Sequence, residues 1–245
     1  FKKKLINKNL IKVKRRSKYL VFCFKNNFFM IIHLGMSGVL FLENIKEKIK
    51  IKLSFYYELE KLNKHDHVVF YFSNNYKLIY NDPRRFGFIL LFTNKNKELN
   101  SFFEKLGPEP LSKNLNLKIL KKNILKKKKN IKKLLLDQSF ISGLGNIYVN
   151  EILFFSKIRP TRLVNNFSQN DLLKIIYFTK KILKRAIQLG GSSIRNFKNA
   201  SGNAGSFQEK FSVYARTNLS CKRYNCGGTI KKINIYHFFD YVAGG

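Results

Sequence analysis

The segment Tyr80-Asn-Asp-Pro-Arg-Arg-Phe-Gly-Phe88 carries more chemistry than a turn needs. Apolar, strand-like runs flank it, KLIY before and FGFILLF after. A turn between strands is ordinarily built from Asn, Asp, Gly or Ser, and Asp82-Pro83 already supplies that. Arg84, Arg85 and Phe86 are more than a turn needs.

A second candidate is FISGLGNIYVNE at 140–151. A helix is expected to end before it, at LLLDQ, and another to begin at Asn146. Gly143 and Gly145 let the backbone turn tightly and come close to a ligand. Asn146 is a good N-cap, and the free N–H groups of a helix start can hold a phosphate. Upstream stand eight lysines, at 121, 122, 126–129, 132 and 133. Together they read as a helix–turn–helix-like clamp on a nucleic-acid backbone. The same residues also fit an ordinary helical hairpin with a solvated basic face.

Cys221 and Cys226 precede a Gly-Gly turn, as in half of a zinc knuckle. Structural zinc takes four ligands. His237 is a possible third, and no fourth Cys or His follows, so two thiols without metal fit as well. In His65-Asp66-His67 the histidines would share one face of a strand and Asp66 the other, which disfavours a shared metal. A cationic contact to phosphate and a histidine satisfied within the fold are both open. Lys18, in RRSKYLVF, reads by itself as an edge-strand lysine, and Cys23, in YLVFCF, as a small buried hydrophobe.

The elements that must position these residues follow from composition and period. The chain has 245 residues, which suits one or two domains. Its hydrophobic fraction of 44% supports a real core and argues against general disorder. Lys and Arg number 48 against 14 Asp and Glu, a net +34, so a polyanion is the expected partner: nucleic acid first, then an anionic membrane surface, then a ribosomal neighbour. Lys, Asn, Ile and Phe are all abundant, as in an AT-rich genome that inflates Lys, and Arg is therefore the sharper signal. No run approaches the roughly 18 apolar residues of a membrane span. The basic start has no long apolar region after it, as a secretory signal would. Three cysteines make no disulfide framework, so a reducing, cytoplasmic compartment is expected. A chain that starts at Phe1 is expected to be a fragment.

Residues 11–92 are short aromatic and β-branched runs broken by Asn, Gly and Asp-Pro, which predicts an all-β sandwich. Residues 43–64 form a charged excursion, a loop or long hairpin. LGPEPLS at 106–112 reads as a linker. Beyond it Leu117, Leu120 and Ile124, then Ile131, Leu134 and Leu135, recur at helical spacing. A further helix follows Asn146 and stops before Pro160. Ser168-x-x-Asp171 is a capping box for a long helix that ends at Gly190-Gly191. NASGNAGS at 199–206 is a small-residue loop, and short strands return around the cysteines. The expected plan is α+β: a β-sandwich at 1–105, a linker at 106–112, a helical domain at 113–206 and a small element at 207–245.

In order, KRRSKYL, HLGMSG, KHDHV, NDPRRFG, LGPEPLS, LLLDQ…ISGLGNIYVNEILF and GGSSIRNF…FSVYAR resemble the formamidopyrimidine-DNA glycosylases, bacterial repair enzymes for oxidised purines. The likeness spans nearly all of 11–226, and KHDHV and DPRRFG favour this branch over endonuclease VIII, which acts on oxidised pyrimidines. It implies an N-terminal β-sandwich, incomplete here, and a helix-two-turn-helix domain followed by a zinc finger, with duplex DNA in the cleft. It also implies an answer for the surplus residues. Arg84 would fill the gap left by an extruded base, Phe86 would wedge beside it, and Met36 of HLGMSG would take the vacated space. His65, Arg84, Lys128 and Asn146 would contact DNA, Lys18 would serve the elimination chemistry, and the 199–206 loop would close on the damaged base. The implied partner is double-stranded DNA with an oxidised purine or abasic site, bound by a monomer, and the implied cofactor is one zinc ion on Cys221, Cys226 and a second cysteine pair.

The family's nucleophile is the amine of an N-terminal proline followed by a catalytic glutamate; it forms a Schiff base with the sugar, and β,δ-elimination cuts the strand. Phe1 aligns inside the first domain, so the chain as written is expected to lack that pair and to be inactive. Its end, KKINIYHFFDYVAGG, has neither the Arg nor the cysteine pair of the family's zinc hairpin. A non-catalytic DNA-binding remnant and, from charge alone, an RNA- or ribosome-associated protein are the alternatives.

Overall fold

The computed structural model describes residues 2–46, 50–52, 63–93, 96–125, 127–192, 206–235 and 238–244. The chain forms two compact units, Phe1–Phe103 with Leu189–Gln208, and Glu104–Gln188 with Glu209–Gly245.

The first unit runs α1 (Lys2–Leu5), β1 (Leu10–Arg16), β2 (Tyr19–Phe24), β3 (Phe28–His33), β4 (Val39–Asn44), β5 (Lys50–Lys52), β6 (Asp66–Tyr71), β7 (Tyr76–Asn81), β8 (Phe88–Thr93) and α2 (Asn96–Glu104). The strands make two antiparallel four-stranded sheets, ordered β1-β2-β3-β8 and β5-β4-β7-β6. Phe22, Phe24, Met30 and Ile32 of the first meet Leu40, Leu78 and Tyr80 of the second in one core. This is the expected sandwich. The run FFMIIHLGMSGVLFL is not one strand. It divides into β3 in one sheet and β4 in the other, and Leu34–Gly38 is the crossing turn, closed by Gly38 N–H donating to Leu34 O at 2.8 Å. Two consecutive strands in different sheets put that turn at an end of the sandwich, where loops are free to carry function.

Helix α2 was not expected from periodicity. Its Phe102 and Phe103 rings pack on Tyr19 at 5.3 and 5.8 Å, and Phe102 also on Phe92. The helix thus covers the face of the first sheet turned away from the second, so Val21, Cys23 and Ile31 are buried as well. Most of the charged excursion, 47–49 and 53–62, lies outside the described residues, and β5 pairs with β4.

The second unit holds α3 (Leu117–Ile124), α4 (Ile131–Leu136), α5 (Asn146–Ser156), α6 (Gln169–Gln188) and a hairpin of β9 (Thr229–Ile235) and β10 (Phe238–Gly244). Asn116 and Asn130 cap α3 and α4 by accepting from Ile119 and Lys133 N–H groups. The capping box at α6 is reciprocal: Ser168 Oγ accepts from Asp171 N–H, and Asp171 accepts from Ser168 N–H. Gly190 and Gly191, at φ 75° and 89°, end that helix as expected. The stretch 106–112 is bound into this unit instead of hanging between units. Gly107 N–H donates to Gln138 O at 2.8 Å, and Pro108 O accepts from Ser142. Among the described residues no helix is long and apolar enough to cross a membrane.

Candidate nucleic-acid interface

In the first unit, one carboxylate organises the end of the sandwich. Asp82 is fully buried. It accepts from Ser37 Oγ at 2.5 Å, Tyr80 Oη at 3.0 Å, Gly87 N–H at 2.8 Å and Arg84 N–H at 3.3 Å. Ser37 belongs to the turn that carries Met36, and Arg84 and Gly87 bracket the turn that carries Phe86. Asp82 therefore ties both turns to one point. Their backbones also touch: a Cβ at Gly35 (φ 61°) would lie 2.7 Å from Phe86 C and Gly87 N. Only glycine allows that approach and that φ.

On this base stand three exposed side chains. Met36 and Phe86 are 60% and 55% exposed, far more than residues of their kind usually are. Arg84 lies with its guanidinium 4.5 Å from the Phe86 ring centroid. Arg85 takes a left-handed φ of 57°, which folds the loop so that its two neighbours stack. Burial pushes the Asp82 carboxyl up, but the donors from Ser37, Gly87, Tyr80 and Arg84 outweigh it and hold the pKa below the usual range. A depressed carboxylate stabilises the fold above its ordinary pKa and loses that contribution as pH falls through the lowered value. The tie is therefore intact at any pH above about 4. Asp82→Asn keeps the shape but turns an NH2 toward donors. It is expected to weaken lesion-duplex binding about tenfold, a loss equivalent to about 1.4 kcal/mol, through loop disorder. Binding measured with intact duplex in parallel checks it, since general unfolding would lower both.

The histidine segment locks the same corner from β6. His67 Nε2 lies 2.8 Å from Asp82 O, and Asp66 accepts from Asn81 Nδ2 at 2.7 Å. His65 was expected to share a strand face with His67. It lies instead in a 3-10 turn, Asn63–His65, ahead of β6, where its carbonyl accepts from Asp82 N–H at 3.1 Å. A register shift between Asp66 and Val68 accommodates this. His65 as a whole is half-buried.

Lys18 follows Ser17 (φ 56°) in the β1–β2 turn, where it is exposed, and local desolvation lowers its pKa below that of an ordinary lysine. His33 faces it electrostatically: burial first, then Lys18, lowers the His33 pKa. The His33 ring stacks on Phe88 at 5.2 Å, and its Nδ1 accepts from Gly35 N–H at 3.1 Å.

In the second unit, Gln138 closes the GLGN turn. Its Nε2 donates to Leu136 O and Leu144 O, and its Oε1 accepts from Gly143 N–H at 2.8 Å. Asn146 was expected to cap α5. Gly145 takes the cap position, with φ −125° and ψ 174° and no side-chain bond. Asn146 opens the helix instead, because Asn150 Nδ2 donates to its carbonyl and its Oδ1. The lysine run divides by role. Lys129 pairs with Asp137 at 3.8 Å, and Lys127 lies 5.9 Å from the Phe140 ring. Both reach the turn leading to Gly143, and exposed Lys128 stands between them. Lys132 does not belong to a solvated face: it is 2% exposed, because short α4 is packed on nearly every side. Lys126 and residues 199–205 of the expected closing loop lie outside the described residues.

Glu151 went unnoticed in sequence. Its buried carboxylate accepts from the N–H groups of Ser212, Val213 and Tyr214 at 2.9–3.1 Å. Burial raises its pKa, opposed in part by those N–H groups and by Lys222. Cys221 and Cys226 are the sulfur donors of the second unit. Among the described residues no group of three His, Cys, Asp or Glu could hold a metal, so the donor set does not fit a four-ligand zinc. His237 lies outside the described residues.

Comparison with known proteins converges. Residues 1–89 match the family model described as the formamidopyrimidine-DNA glycosylase N-terminal domain, and residues 106–198 the one described as the formamidopyrimidine-DNA glycosylase H2TH domain. A formamidopyrimidine-DNA glycosylase of Rickettsia bellii is 39% identical over 228 residues, 93% of this chain and 78% of that one. One of Roseobacter denitrificans is 37% identical over 230 residues, 94% and 80% of the two chains. Lactococcus lactis Fpg in complex with abasic-site DNA superposes with a TM-score of 0.83 at 34% identity, over 99% of this chain and 83% of that one. The wild-type Lactococcus enzyme with oxidised-pyrimidine DNA gives 0.81 at 34%, with the same coverage.

Proposed function

Because the chain belongs to the formamidopyrimidine-DNA glycosylase family, we propose that it finds oxidised purines and abasic sites in duplex DNA, for base excision and strand cleavage. The observation that carries this reading is the pair of turns on Asp82, which present Met36, Arg84 and Phe86 together. A base cannot be reached inside the duplex, and extruding it costs a few kcal/mol of stacking. Inserted apolar or planar side chains offset that cost. Phe86 wedges between bases, Arg84 occupies the gap and faces the base opposite the lesion, and Met36 fills the vacated space. Because all three rest on one buried anchor, they enter without first having to be ordered.

His65, Arg84, Lys128 and Asn146 hold the phosphate backbone. Lys18 is the proton-handling residue: it stands exposed in its turn, and local desolvation lowers its pKa, so its Nζ can give and take a proton during elimination. The attacking amine in this family is that of an N-terminal proline. Zinc would stiffen a DNA-contacting hairpin in such enzymes, but the donors found here do not fit it, and no step depends on it. The protein acts as a single chain, in the bacterial cytoplasm where its substrate lies.

At fixed salt, the chain is expected to bind a duplex holding a tetrahydrofuran abasic analogue at least about tenfold more tightly than intact duplex, while salt weakens both. Equal affinities at every salt overturn the reading. Lys128→Ala is expected to weaken both duplexes about equally and to lower the salt slope by about one, as loss of a phosphate contact does.

A further inference from the structure

We propose that the β9–β10 hairpin is fastened to helix α5 by an apolar cluster and main-chain bonds, with no metal ion where this family carries zinc. Hydrocarbon surrounds the Cys221 thiol, and Cys226 lies half-buried at the edge of that cluster. Cys221 is buried with Phe154, Val213 and Ile230, and Cys226, Tyr241 and Ala243 pack against them. A zinc hairpin needs a second donor pair facing the first. Here the facing strand presents Tyr241 and Ala243, and Ala243 pairs with Ile230. The ladder runs unbroken from Phe238↔Ile235 to Gly244↔Thr229, so no bulge brings another side chain inward.

The sulfurs have other partners. Gly228 N–H, and then the Cys221 thiol, hydrogen-bond to Cys226, and Arg223 N–H reaches Cys221 Sγ at 3.5 Å. Each tie a metal would supply has a replacement. Tyr241 N–H donates to Asn150 Oδ1 of α5 at 3.1 Å, and the Tyr241 ring meets Tyr214 edge-on at 5.1 Å. Tyr214 is itself held by Glu151 of α5. The Arg223 guanidinium lies 4.2 Å from the Phe154 ring and donates to Phe154 O. Cys221 N–H donates to Gly228 O, and Ile230 N–H to Leu219 O, closing the turn onto β9.

A zinc finger that depends on its metal unfolds under chelation. The test is zinc content by mass spectrometry on the purified chain, with thermal melts before and after a strong chelator, and the same on Cys226→Ala. The expected result is far less than one zinc per chain, melting unchanged within about 2 °C by chelator, and Cys226→Ala melting within about 4 °C of the parent. Near-stoichiometric zinc overturns the proposal. So does a chelator-induced fall of about 10 °C or more, or a collapse of Cys226→Ala of that size. Abasic-duplex affinity is read on the same samples. The proposal holds if chelation leaves it unchanged, whether or not the lesion preference proposed above is found.

Discussion

Arg84→Ala and Phe86→Ala are each expected to lower affinity for duplex containing an abasic-site analogue by about 30-fold, while intact duplex loses about threefold or less. The magnitude follows from the contacts. Stacking of one ring on a base is worth about 1–3 kcal/mol by alanine substitution, and each tenfold change in affinity is 1.4 kcal/mol. Intact duplex offers no gap, so these side chains gain little there beyond the charge of Arg84. The two are coupled as well. Arg84 stacks on Phe86 at 4.5 Å, so removing either loosens the other, and the double substitution should cost less than the sum of the single ones. Titration of both duplexes at one salt concentration decides the matter. If Arg84→Ala, Phe86→Ala and Lys128→Ala all lower both affinities equally, the loop is merely another basic contact and the wedge assignment is wrong.

Glu151→Gln is expected to destabilise the second unit by about 3 kcal/mol and to lower its melting temperature by about 10 °C. The carboxylate collects the N–H groups of three successive residues, Ser212, Val213 and Tyr214. An amide can satisfy them with only one oxygen, and its NH2 would face donors with no acceptor. Leaving a buried donor unsatisfied costs about 1–3 kcal/mol. The Glu151 pKa is raised by burial, so the pH dependence has a definite sign. An acid whose folded pKa lies above its unfolded one contributes most at low pH and less as pH rises through the folded value. The parent should therefore lose some stability on going upward from the ordinary carboxylate range, and Glu151→Gln should lack that part of the slope. Melts of both proteins across that range check it. A Gln variant as stable as the parent would mean that the 212–214 turn is held by packing alone.

Much of this was legible in the chain, and what was legible had a local cause. The capping box at Ser168 and Asp171 formed because its partners are three residues apart on one backbone. The sandwich runs, the helical spacing after 116 and the glycine stop at 190–191 are likewise local signals, and the ordered motifs carried the family. What was missed was decided at long range. Asp82 looked like a turn former, yet its carboxylate is chosen by Ser37, 45 residues away in sequence. Glu151 drew no notice in the sequence, because its partners are 61–63 residues further on. Lys132 was counted with a solvated run that the packing of α4 does not leave solvated.

By itself, then, the sequence determined the two-domain plan and the family, because periodicity, caps and turn chemistry act over a few residues, and it nominated residues for DNA contact. Only the tertiary structure decided which of those residues work as a unit. Met36 and Phe86 are ordinary apolar residues until a buried carboxylate holds their two turns at one point and leaves them exposed. The thiols of Cys221 and Cys226 suggest metal until Cys221 is seen to sit in an apolar cluster against which Tyr241 and Ala243 of the facing strand pack. Burial and partnership are properties of distant segments meeting, and a chemical group's role depends on both.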